Sequence, residues 1–256
     1  MTQQLSKNKI KLIHSLEKKK HRQKEGLFLA EGNKCVSDLI KSGYYPKTLI
    51  ATEDWLSTAN IPTETEIVIA SPEEIRKASL LQHPQQVMGL FTFPKEPNKN
   101  ELRLIPQHEL CLCLDGVQDP GNLGTIIRTA DWFGIRHIFC NETTVDAYNP
   151  KTVQATMGSI ARVHIHYLDL TDFISSLINV SVIGTTLDGE NLYDTNLLQK
   201  GIIVMGNEGN GISEEIKSLL TQKVLIPSYP QHSNTAESLN VSIATAIICA
   251  EIRRRC

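Results

Sequence analysis

The stretch Leu114-Asp115-Gly116-Val117-Gln118-Asp119-Pro120-Gly121-Asn122-Leu123-Gly124-Thr125-Ile126-Ile127-Arg128-Thr129-Ala130 decides the reading of this chain. It closes an apolar run (Leu110–Leu114), bends through Asp-Pro-Gly-Asn and resumes with Leu123, Ile126, Ile127 and Ala130 at helical spacing. Strand, tight turn and helix begin a β-α-β unit, and the pattern recurs. Further short apolar runs lie at His137–Cys140, Val163–Tyr167, Val182–Thr186, Ile202–Met205 and Val224–Ile226. Continuous apolar strands alternating with helices predict a parallel sheet covered on both faces, an α/β fold. A final helix from Ser238 to about Arg254, rich in Leu, Val, Ile and Ala, is expected to be largely buried.

Upstream, a basic helix is expected from Ser6 to about Arg22. Strands follow at Leu27–Ala30, Lys47–Ala51, Glu66–Ala70 and Val87–Phe93, with a helix at Asn33–Ser42. Ser71-Pro72-Glu73-Glu74 opens another helix with a cap, an early proline and acids in place. The polar, proline-bearing run from Pro94 to Asn100 reads as a linker, with Pro106 near its end. The expected division is a small α/β unit over 1–95, a linker over 96–108 and a larger domain over 109–256.

The 256 residues are 41% hydrophobic with a net charge of −2, which excludes a disordered chain. No window approaches the ~18 apolar residues of a membrane span. The N-terminus lacks the apolar core and cleavage site of a secretory signal, and the cysteines, read as reduced, suit a cytoplasmic protein. Residues 1–24 carry +7 and the remainder −9. A basic arm on an acidic body fits a polyanion partner, and it also fits a solvated helix. The cysteines (Cys35, Cys111, Cys113, Cys140, Cys249 and Cys256) form no C-x-x-C pair or zinc spacing and read as reduced. Cys111 and Cys113 alternate on one strand face.

Common nucleotide motifs fail. G-x-G-x-x-G does not occur, and Gly206-Asn207-Glu208-Gly209-Asn210-Gly211-Ile212-Ser213 has Ile212 where a phosphate loop needs lysine. No G-x-S-x-G elbow or H-E-x-x-H motif occurs. Three segments remain. Asn122 and Arg128 are either a cap and a surface arginine or the border of a cavity. Gly206, Gly209 and Gly211 make either a plain turn or a close backbone approach to a ligand, with Glu208 beside them able to pair with Arg128. Ile226-Pro227, then Ser238-Leu239-Asn240-Val241-Ser242, give either caps or the polar rim of a site.

In this order the three segments resemble the motifs of the SpoU-type family, also called the TrmH family, within the SPOUT class of RNA 2′-O-ribose methyltransferases. The first motif is Asn122-Leu123-Gly124-Thr125-Ile126-Ile127-Arg128-Thr129-Ala130. The second is Met205-Gly206-Asn207-Glu208-Gly209 with Gly211. The third is Ile226-Pro227 with Ser238-Leu239-Asn240-Val241-Ser242. Asn149-Pro150-Lys151-Thr152-Val153, with Ala155, Met157 and Gly158, resembles the family's intermotif helix. Arg22 to Gly32 resembles its substrate-binding domain, a fold akin to certain RNA-binding ribosomal proteins.

The resemblance implies a deep trefoil knot in the second domain, S-adenosylmethionine as cofactor, no metal, and a homodimer through the knotted domain. Cofactor contacts would come from Gly206, Ile226 and Leu239, largely through backbone, with Asn207, Gly211, Pro227 and Ser238 beside them. Arg128 would orient a ribose 2′-hydroxyl and stabilise its developing charge. Asn122 would position Arg128 or the ribose, and Glu208 and Asn240 would hold Arg128 or the substrate. The implied substrate is RNA, with ribosomal RNA ahead of transfer RNA. The rival is a catalytically silent RNA-binding protein of the same fold. One departure from the family pattern is the link 228–237, ten residues without glycine and with His232 inside it.

Overall fold

A computed structural model describes residues 5–197, 199–230 and 236–255 of the chain. The basic N-terminal stretch is two helices rather than one. Ser6 caps α1 (Lys7–Ser15), and α2 (Lys19–Glu25) ends on Gly26 in the left-handed region. Arg22 explains the break between them. It is 1% exposed. Its Nη1 donates to the carbonyls of Leu16 at 2.7 Å and Glu17 at 2.8 Å, groups left over where α1 stops. Its Nε donates to Asp146 at 3.1 Å, and Nη2 completes the ion pair. Arg22 therefore leaves the set of solvated cations in which its neighbours in sequence had placed it.

Next come β1 (Leu27–Glu31), α3 (Asn33–Lys41), β2 (Pro46–Ala51), the short α4 (Glu53–Leu56), β3 (Glu66–Ile69), α5 (Pro72–Ala78) and β4 (Val87–Thr92). Ser71 and Glu74 form a reciprocal capping box at α5, as the sequence predicts. The sheet order is β1-β4-β2-β3, with β4 antiparallel to both of its neighbours. Leu27, Leu29, Ile50, Val68, Met88 and Leu90 pack under the helices with Ile13 and Leu16.

The stretch read as a linker is mostly helix α6 (Lys99–His108). Asn98 and Glu101 box its start, and buried Leu102 anchors it beside Cys111 and Cys113. Its polar outer face hid a narrow apolar stripe, Leu102 and Ile105, with Pro106 inside the last turn. After it come β5 (Leu110–Leu114), α7 (Pro120–Trp132), β6 (His137–Cys140), α8 (Pro150–Ala155), β7 (His164–Tyr167), α9 (Leu170–Ser175), β8 (Val182–Asn191), β9 (Gly201–Met205), α10 (Glu214–Lys217), β10 (Gln222–Leu225) and α11 (Val241–Arg254). The six strands form one sheet in the order β10-β8-β9-β5-β6-β7, every pair parallel. This is the parallel α/β sheet expected. The final helix starts later than expected, at Val241, because Asn240 is its cap.

Contacts divide the chain into residues 1–95 with 146–162, and 96–145 with 163–256. Helix α8 and its flanks thus belong with the first unit. Tyr148 packs on Phe28 at 4.7 Å between ring centroids, Asp146 receives Arg22, and Arg162 meets Asp38 at 3.2 Å. These partners are more than a hundred positions away along the chain, beyond the reach of local pattern.

No helix among the described residues is long and apolar enough to cross a membrane. Cys35, Cys111, Cys113, Cys140 and Cys249 are buried free thiols, and Cys256 lies outside the described residues. Burial pushes the Cys35, Cys111 and Cys249 thiols up to about 12, so they are inert apolar filling.

Candidate functional site

Ligands of parallel sheets sit at the carboxyl ends of the strands. In the second unit those ends carry the three segments singled out above. After β5, the N-cap of α7 is Asp119, whose Oδ1 accepts from Asn122 N at 2.8 Å. With the cap supplied by Asp119, the Asn122 side chain is available for other contacts.

Asn122 lies in the middle of a directional hydrogen-bond chain. At the start of α11, Asn240 Oδ1 accepts from the Ser242 and Ile243 backbone amides and from Ser242 Oγ at 2.6 Å. Backbone amides can only donate, so Asn240 must turn its Nδ2 outward. That Nδ2 donates to Asn122 Oδ1 at 2.9 Å, and Asn122 Nδ2 donates to Glu208 Oε1 at 3.0 Å. Glu208 thereby serves as the acceptor that ends the chain. Glu208 and Asn240 are exposed and Asn122 half-buried, so the chain lines an accessible surface.

The loop after β9 folds back tightly. Asn207 and Gly211 exchange backbone hydrogen bonds at 2.9 and 3.0 Å, and Asn207 Oδ1 accepts from Gly209 N and Asn210 N. A Cβ on Gly206 would lie 2.2 Å from the Gly211 carbonyl carbon, so only glycine fits there. Gly211 has a φ of 69°. Such a cradle of backbone polar groups without cationic side chains suits a ligand with little net charge. Ile226 and Pro227 follow β10, which stands two strands from β9, about 10 Å away at normal sheet spacing. Ser238 and Leu239 precede Asn240 and are exposed, and the Asn240–Asn122 bond carries them to the β5 end.

Arg128 is on the exposed face of α7, about 9 Å of helix rise beyond Asn122. Among the described residues it has no hydrogen bond or ion pair. The expected pairing with Glu208 is not formed, because Glu208 holds Asn122 instead. Exposure removes the need for an acidic partner that the apolar sequence around Arg128 suggested. His232 and the middle of the 228–237 link lie outside the described residues. Among the described residues no group of three or more His, Cys, Asp or Glu is placed to hold a metal.

Asp115 was missed in the sequence. It is 7% exposed and ends β5 directly before a glycine. Its Oδ2 accepts from Ser213 N and its Oδ1 from Asn141 Nδ2, both at 2.7 Å. A carboxylate closing an otherwise apolar strand was the signal available for it.

A family model described as the SpoU rRNA Methylase family matches residues 109–250, and an MRM3-like substrate binding domain matches residues 7–89. The 23S rRNA (guanosine(2553)-2'-O)-methyltransferase RlmP of Bacillus subtilis is 29% identical over 248 residues, covering 96% of each chain. A TrmH-family structure from Porphyromonas gingivalis is 39% identical with a TM-score of 0.88, over 99% of this chain and 100% of that one. An AdoMet-bound rRNA methyltransferase from Sinorhizobium meliloti is 33% identical with a TM-score of 0.86, over 100% of this chain and 97% of that one.

Proposed function

The chain belongs to the SpoU rRNA methylase family, and from that membership we propose that it transfers a methyl group from S-adenosylmethionine to a ribose 2′-hydroxyl of ribosomal RNA. The observation that carries the assignment is the Glu208–Asn122–Asn240 chain, built from all three family motifs and set beside a glycine cradle. The relatives named above support ribosomal over transfer RNA as substrate.

S-adenosylmethionine supplies the electrophilic methyl when bound. Gly206, Asn207, Gly211, Ile226, Pro227, Ser238 and Leu239 hold it, mainly through backbone groups. A ribose hydroxyl is a poor nucleophile at neutral pH, and its proton would pass to the adjacent RNA phosphate as its oxygen takes the methyl and S-adenosylhomocysteine leaves. Arg128 is not the base, since a guanidinium carries N–H donors and no acceptor for a proton. It orients the hydroxyl and stabilises the charge developing on its oxygen. Among the described residues it has no acidic partner, which leaves the full cation for that task. Asn122 is fixed by Glu208 and Asn240 and borders the ribose site.

The trefoil knot, a homodimer and a cytoplasmic location belong to the same proposal. Helices α7 and α11 pack together, with Ile243 (51%) and Leu239 (51%) exposed about the start of α11 and Trp132 (84%) exposed at the far end of α7, apolar positions that suit a second copy. Mapping 2′-O-methyl sites in cellular RNA with and without the protein tests the reaction. One ribosomal site should vanish with the protein. Calorimetry with S-adenosylmethionine separates an enzyme from a silent RNA binder, and loss of no site together with no cofactor binding would overturn the proposal.

A further inference from the structure

The glycine loop is held at its near end by the Asp115–Gly116 backbone and at its far end by the buried Asp115 carboxylate. At its near end, Asp115 N donates to Met205 O at 2.9 Å, and Asn207 Nδ2 donates to Gly116 O at 2.7 Å. At its far end, Ser213 N donates to Asp115 Oδ2 at 2.7 Å. The other carboxylate oxygen takes Asn141 Nδ2 from the end of β6. Asn141 has no freedom to turn over, because its Oδ1 accepts from the Gly116 and Thr144 backbone amides at 3.0 and 3.1 Å. Gly116, at a φ of 80°, lets the chain pass between Thr143 and Asn207.

Asp115 therefore faces two groups that can only donate. An asparagine there would set an NH₂ against one of them, whichever way it turned. We propose that Asp115 is a positioning residue for S-adenosylmethionine binding, with Asn141 setting its polarity. It holds Met205 to Ser213 in the one shape that presents the Gly206 backbone. The inference rests on reading that loop as the cofactor cradle.

The test is calorimetric titration of S-adenosylmethionine into the full chain, the single variants Asp115→Asn and Asn141→Asp, and the double variant. Each single variant sets like against like, two NH₂ donors or two carboxylates, and should weaken binding about tenfold or more. In Asp115→Asn, KM for S-adenosylmethionine should rise more than kcat falls. The double variant reverses the donor and acceptor across the same bond and keeps an acceptor for Ser213 N and for the Gly116 and Thr144 amides. It should recover to within about threefold of the parent chain. A merely structural site would show lowered melting temperature without the selective rise in KM. Undiminished binding in Asp115→Asn, or a double variant no better than the singles, overturns the proposal. A parent chain that binds no S-adenosylmethionine overturns the cradle reading and this inference with it.

Discussion

Asn240 donates its side-chain Nδ2 to Asn122 Oδ1 at 2.9 Å, across 118 positions of sequence. The same Asn240 caps α11 through its Oδ1. One residue thus has a stability role and a site role on opposite atoms, and the two can be separated. Asn240→Asp keeps a capping oxygen and adds a negative charge favoured at a helix N-terminus. It loses the donor to Asn122 and brings a second carboxylate near Glu208. Methyl transfer should fall by about a hundredfold, the loss of a positioned hydrogen bond, while the melting temperature stays near that of the parent chain. Asn240→Ala should lose both, with a stability cost of about 1 kcal/mol from the missing cap.

Arg128→Ala should abolish methyl transfer and leave folding and S-adenosylmethionine binding nearly intact. The side chain is exposed and makes no hydrogen bond or ion pair among the described residues, so its removal costs at most about 0.5 kcal/mol. Activity within tenfold of the parent chain would remove Arg128 from its proposed role.

The basic arm divides into two kinds of cation. Lys18, Lys19 and Lys20 are exposed. Changing all three to Ala should weaken RNA binding and flatten its salt dependence, at roughly 0.7 of slope per lost phosphate contact on single strands. Arg22→Ala should act on stability instead. It strands the Asp146 carboxylate and two carbonyls, a loss of about 3–5 kcal/mol for breaking a buried pair. Denaturant unfolding and salt-dependent binding would read the two effects apart.

Acid stability should depend on the edge of the parallel sheet. His137 Nδ1 and His166 Nε2 are 3.0 Å apart, with His164 stacked alongside. Burial, then the neighbouring His137 and His164, push His166 down to about 4. Its pKa is lower folded than unfolded, so the unfolded chain takes up the proton first. The resulting stability is complete above the unfolded value of about 6.5 and is lost as pH falls toward 4. His166→Phe, which stays apolar beside Phe139, should flatten the decline of melting temperature between those pH values.

Much of the second unit was legible because its rules are local. The six strands and the motif order could be read from apolar runs and glycines, since strands buried on both faces carry an uninterrupted apolar signal. The capping box at Ser71 and Glu74 was legible for the same reason, because its partners are three residues apart. Helix α6 was hidden by its polar outer face, and the break between α1 and α2 by an arginine that looked like its neighbours.

The sequence by itself determined the class of fold and the family. Those properties are written in residue types at short spacing. Tertiary structure decided how the residues are paired. It gave Glu208 to Asn122 rather than to Arg128, and Arg22 to Asp146. It placed 146–162 with the first unit and made Asp115 the anchor of the glycine loop. Each of these is a contact between polar groups far apart in the chain. Hydrogen-bond polarity selects the partner only after packing has brought the candidates within about 3 Å.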